Sequence, residues 1–182
     1  MTHSEFLTTS ILTVSLAFIG YLVKYYNDLV IAKRKDKLER VNRQLKDLYG
    51  PLLSLTNSSN NAWRKFRSVY RNYNPAYFDN RNPPNEEEKR VWRLWMTTVF
   101  FPIIDKKYNI IIDNTDLIIE DHFPKCLEDF CAHVNTYRPV LEKWKNEDFS
   151  EHVSLLGYPT ELNKYFQDIF DKLKKEQNKL LG

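Results

Sequence analysis

Glycine is scarce in this chain, with four residues among 182. A turn-rich β fold uses glycine at its corners, so this scarcity, together with abundant Leu, Lys and Glu, points to an all-α fold. Cysteine is nearly absent as well. Cys126 and Cys131 make no disulfide framework, and they fit a reducing compartment or any site where they stay buried. An excess of one charge is also missing: 27 basic residues against 24 acidic leave a net charge of +3. That is too mild to announce a nucleic-acid binder, so direct nucleic-acid binding is not expected. There is no glycine-rich phosphate loop, nucleophile elbow or H-E-x-x-H motif, and no cofactor is implied.

What the chain does have is apolar material, 42% hydrophobic residues beside 28% charged ones, which suffices for one folded core. Its first long run is also its least charged. Phe6 to Val23 is 18 residues without a formal charge. As a helix it spans roughly 27 Å, close to the hydrocarbon thickness of a bilayer. Tyr21, Tyr25 and Tyr26 stand where an interfacial aromatic belt would lie. A cleaved signal peptide is the first alternative, but Met1 to Glu5 holds no Lys or Arg and no small-residue cleavage site follows. A buried helix of a soluble domain is the second. Lys24, Lys33, Arg34, Lys35, Lys37, Arg40, Arg43 and Lys46 all lie after the run and none before it. The positive-inside rule therefore places the N-terminus outside and everything after Lys24 in the cytoplasm. The expected organisation is a transmembrane segment over 1–24, a juxtamembrane amphipathic helix over 25–50 and a cytoplasmic helical domain over 51–182.

Small and polar residues recur on one face of that span. Ser10, Thr13, Ala17, Gly20 and Lys24 fall at offsets 0, 3, 7, 10 and 14, a single helical stripe. Such a stripe packs against another membrane helix or lines a water-filled pore. A single span cannot enclose a pore, so lining one requires a ring of identical chains. An inert anchor also tolerates hydroxyls, which bond back to their own helix.

Beyond the span the pattern stays helical. Leu38, Val41, Leu45, Leu48, Leu52 and Leu55 keep a 3-4 spacing, with Gly50-Pro51 expected to stop or kink the helix. Ala62 to Tyr73 is a second amphipathic stretch, carrying Trp63, Phe66, Val69, Tyr70 and Tyr73 with Arg64, Lys65, Arg67 and Arg71 interleaved. Stacking and phosphate contact by such a segment is conceivable, but a solvated basic face is the preferred reading. Asn74 to Asn85, rich in Asn and Pro, reads as the main loop. Glu86 to Phe101 reads as a helix with Glu86, Glu87 and Glu88 in its first turn and Pro102 just past its end. Tyr108 to Ile112 reads as a short strand or extended loop. Pro124 opens a helix expected to run to about Tyr137, with Pro139 permitting a break before Trp144. Thr160 is expected to cap a last helix whose stripe is Leu162, Tyr165, Phe166, Ile169, Phe170 and Leu173.

Two clusters carry candidate chemistry. His122, Cys126, Cys131 and His133 are all capable of binding zinc, but their spacing is poor for a tetrahedral clamp, and buried packing of the cysteines is preferred. His133, Asn135 and Arg138 bring an imidazole, an amide and a guanidinium within six positions, types able to hold and polarise an RNA phosphate. The competing reading makes them structural polar residues near a helix end. Asp113, Asp116, Glu120 and Asp121 are acidic but lack calcium-loop spacing.

One uncharged N-terminal span, a basic continuation into a helical domain and a length near 180 residues resemble the small membrane accessory proteins of type VI-B CRISPR systems. The resemblance covers the whole chain in layout and no sharp motif. It implies a HEPN-like helical bundle that assembles into a homo-oligomeric pore in membrane lipid. It also implies a functional link to an RNA-guided RNase, antiviral defence and membrane depolarisation. HEPN nucleases carry an Arg four to six residues before a His, and no such pair occurs here. His133 and Arg138 run in the opposite order, which puts a membrane-tethered RNase in doubt. Under this resemblance the stripe from Ser10 to Lys24 lines the pore, with a ring of Lys24 at the cytoplasmic mouth repelling cations. A plain scaffold for a partner protein is the remaining alternative.

Overall fold

A computed structural model describes residues 3–71, 77–78 and 80–182, with side chains from Ile11 onward. The described chain is all-helical, and no strand element occurs among the described residues. Helix α1 runs His3–Arg43, 41 residues or about 60 Å. A π turn, Gln44–Tyr49, joins it without a break to α2, Gly50–Tyr70. Helix α3 (Glu86–Trp95), a second π turn (Met96–Phe100) and α4 (Phe101–Asp113) form another unbroken rod. A short 3-10 turn at Thr115–Leu117 leads to α5 (Lys125–Lys145), and α6 (Leu162–Leu181) closes the domain.

Gly50-Pro51 was expected to stop or kink a helix, Pro102 to lie just past a helix end and Pro139 to permit a break, and the structure carries the helix through all three. At the first two, the residue before proline reaches back five positions: Gly50 N–H bonds the Leu45 carbonyl, and Phe101 N–H bonds the Met96 carbonyl. A proline has no N–H to give, and its ring presses on the carbonyl four residues back. Widening the preceding turn by one residue relieves that pressure, so Pro51 and Pro102 sit in the opening turns of α2 and α4. Gly50 is required there, because a Cβ would collide with the Leu45 carbonyl oxygen. Thr97 Oγ1 donates to the Arg93 carbonyl at 2.8 Å and Thr98 Oγ1 to the Leu94 carbonyl at 2.7 Å, taking up groups at the mouth of the second π turn. Pro139 lies inside α5, which continues to Lys145 rather than breaking after Tyr137.

Other expectations change too. Tyr108 to Ile112 is helical, as the end of α4. Its isoleucines pack on a helical face, with Ile104 and Ile111 buried, and tertiary burial outweighs their β preference. Thr160 does not cap α6. Glu161 takes the cap position with helical backbone and no side-chain cap bond. Asn85 is a cap that the sequence reading passed over: its side chain accepts from Glu88 N–H at 2.9 Å, and Glu88 Oε2 accepts from Asn85 N–H at 2.8 Å. Tyr73 and residues 74–76 and 79 of the expected loop lie outside the described residues.

The core is aromatic at one end and aliphatic at the other. Phe66 is buried against Trp63, Tyr70, Tyr77, Trp95 and Phe100, with ring centroids 5.1–5.6 Å apart. Val41, Leu45, Leu48 and Leu52 bury the 3-4 stripe read from the sequence, while Leu38 and Leu55 are half-buried. Helix α6 packs against the C-terminal part of α1 and against α2. Arg71, buried at the end of α2, bonds both oxygens of Glu88 at 3.2 Å and lies over the Tyr77 ring, tying α2 to the start of α3.

Candidate functional site

The first candidate is the N-terminal half of α1. Every residue from Ile11 to Lys37 is exposed. An 18-residue window there has a mean hydropathy of 1.2, none of it is buried, and the helix beginning at Ile11 is long and apolar enough to cross a membrane. Leu12, Val14, Leu16, Phe18 and Ile19 are each more than half exposed, with no packing from the domain. Thr13, Ala17, Gly20 and Lys24 stand on this uncovered length, and a Cβ at Gly20 would meet nothing within 4 Å. Ser10 is part of the helix, and its side chain lies outside the described residues. The domain first reaches α1 at Arg34, whose Nε donates to the Leu180 carbonyl at 2.8 Å, and at Lys37, which pairs with Glu176.

The second candidate lies inside the domain. His133, Asn135 and Arg138 share α5 but not a direction. His133 is buried, with Nδ1 2.7 Å from the Leu156 carbonyl and 3.0 Å from Ser154 Oγ. A carbonyl can only accept, so Nδ1 carries the proton and Nε2 keeps the lone pair. Burial, opposed by the Leu156 bond and aided by nearby Lys107, pushes the His133 pKa down and keeps the ring neutral. Arg138 is on the surface, bonded to Asp105 at 3.0 Å and to Asn135 at 3.3 Å, with its guanidinium over the Tyr108 ring. The fold thus separates the imidazole from the guanidinium, and they do not form one site.

The zinc-capable residues are not gathered either. His122 is exposed before α5, His133 is engaged by Leu156, and burial raises both cysteine thiols. Among the described residues no group of three His, Cys, Asp or Glu side chains could hold a metal. In the acidic group, Asp116 pairs with Arg43 at 3.4 Å and Glu120 accepts from Tyr165 at 3.1 Å.

Beside His133 the structure holds features the sequence reading missed. Lys107 is 1% exposed, has no carboxylate partner among the described residues, and donates to Tyr158 Oη at 2.8 Å between the Phe130 and Tyr158 rings. Desolvation pushes its pKa down to about 8. The signal was available, since Lys107 interrupts an apolar helical stripe with Ile104 and Ile111 on the same face. Next to it opens a cavity of about 490 Å³, walled by residues of α2 to α6 and by the segment after α5. That segment hangs on three ring donors. Trp92 Nε1 and Tyr137 Oη bond the His152 carbonyl at 2.8 and 3.0 Å, and Trp144 Nε1 bonds the Glu151 carbonyl at 2.7 Å.

Compared with known proteins, the chain matches no family model, no curated protein and no solved structure.

Proposed function

We propose that this chain is a homo-oligomeric membrane pore that strengthens RNA-guided CRISPR antiphage defence by depolarising the inner membrane, with its HEPN-like domain in the cytoplasm. The observation that carries the reading is the contrast within α1. Its apolar stretch from Ile11 onward has no cover from its own domain, while from Val41 on the same helical rod, through the π turn into α2, packs into the core. An uncovered apolar helix in water is strongly unfavourable, so lipid and other helices are its natural surroundings. Lys24, at the end of the uncharged run, fits the boundary between hydrocarbon and cytoplasm. With small and hydroxyl residues on one stripe, copies of the span can approach closely while the hydroxyls face water.

The test is depolarisation of lipid vesicles holding the purified full-length chain. Oligomers in lipid and loss of the imposed potential are expected. Replacing 6–23 by a polyleucine helix should abolish the loss while leaving the chain in the membrane. A monomer without leakage, or a polyleucine variant that still strengthens defence in cells carrying the activated RNase, overturns the pore in favour of a scaffold. The RNase reading draws no support from the domain, because His133 is buried and Arg138 pairs with Asp105 at the surface.

A further inference from the structure

We infer that the cavity beside His133 is a binding site for a neutral, flat aromatic molecule carrying N–H or O–H donors. Its volume of about 490 Å³ falls in the range of small-molecule pockets. Its wall is built largely of rings: Trp63, Trp92, Phe100, Tyr137 and Tyr158 all contribute. Trp63 and Trp92 meet nearly edge to face, 6.0 Å apart at 75°, which leaves ring faces and edges for a third ring to pack on. No Asp, Glu, Lys or Arg among the described residues lines the space, so a charged occupant would lose its hydration without gaining a partner. A cation is disfavoured further by Lys107 behind Tyr158.

Two groups on the wall are acceptors left for a donor from an occupant. His133 has its Nδ1 proton engaged by Leu156, so Nε2 is left as an acceptor. The Asn163 side-chain oxygen is buried and has no hydrogen-bond partner among the described residues. A native fold seldom leaves such a group unmatched, and turning the Asn163 amide toward the cavity would let an occupant's donor match it. Because Ser59, Asn60 and Trp63 belong to α2, an occupant touches the same helical rod that emerges as the apolar span.

The experiment is calorimetric titration of the full-length chain in lipid nanodiscs with indole and with adenine, subtracting empty nanodiscs. Saturable binding of at least one probe at one molecule per chain is expected. 1-Methylindole, which lacks the N–H donor of indole, and N6,N6,9-trimethyladenine, which lacks all those of adenine, should each bind at least about fivefold more weakly than the parent probe, the scale of one hydrogen bond. Ser59→Phe, which places a ring in the cavity, should abolish binding while the helical circular dichroism is retained. Asn163→Leu should reduce the preference for the donor-bearing probe while binding persists. Absence of saturable binding by either probe, equal affinity for the methylated forms, or unchanged binding by folded Ser59→Phe overturns the proposal. None of these outcomes depends on whether the span forms a pore.

Discussion

The rod formed by α1 and the π turn that follows it obeys opposite rules at its two ends, within one unbroken helix. From Ile11 to Lys33 every side chain is exposed, and the run changes from apolar to charged without regard to the domain. After it, Val41, Leu45, Leu48 and Tyr49 are buried and even Gln44 is satisfied internally, donating to the Leu117 carbonyl at 3.0 Å. Helical backbone is therefore indifferent to where its side chains go. The half that packs stabilises the domain, and the half that does not must be stabilised by something outside it.

The sharpest way to break that comparison is a matched pair of truncations. Phe66→Ala in the aromatic core should destabilise the domain by about 3–5 kcal/mol in denaturant unfolding. Leu16→Ala, on the uncovered half, should change the same measurement by less than about 0.5 kcal/mol. Equal effects would mean that the span packs on the domain after all.

Next in size is the buried amine. Lys107 holds its proton less tightly in the folded domain, at about 8 against an ordinary 10.5. Between those values the unfolded chain binds more protons, so stability rises with pH there and the full penalty stands below pH 8. That penalty is about 3 kcal/mol. The raised Cys126 and Cys131 thiols titrate in the same range with the opposite sign, so the rise is read as the difference between wild type and Lys107→Met followed from pH 7.5 to 9.5. Lys107→Met should also leave the protein at least as stable at pH 7.

Gly50→Ala tests the junction itself. The added methyl must displace the Leu45 carbonyl, so a loss of about 1–3 kcal/mol is expected in thermal unfolding. The mildest change lies where the domain first grips α1. Lys37→Ala removes an exposed pair with Glu176, and an effect below about 1 kcal/mol that vanishes in high salt is expected.

How legible the chain was depends on which side of each residue matters. The 3-4 stripe from Leu38 to Leu55 was readable, because burial on a helix repeats every turn. The proline sites were misread, since a π turn depends on the carbonyl five residues back having room to swing, which composition does not reveal. Tyr108 to Ile112 was misread because isoleucine's strand preference is weak beside the burial of Ile104 and Ile111 on α4. From sequence the His133–Arg138 cluster could be one site or a set of structural polar residues, the latter being the preferred reading. A five-residue offset on a helix turns two side chains well apart, and only packing decided that one faces Leu156 and the other Asp105.

The sequence by itself determined that the chain is helical and that one uncharged run of 18 residues leads into a basic continuation, because both follow from local composition and period. Tertiary structure alone decided that this run stays outside the domain core, that Lys107 is desolvated beside Tyr158, and that residues from α2 to α6 and the segment after α5 enclose one cavity. Those outcomes depend on contacts between residues dozens of positions apart, and no local pattern encodes them.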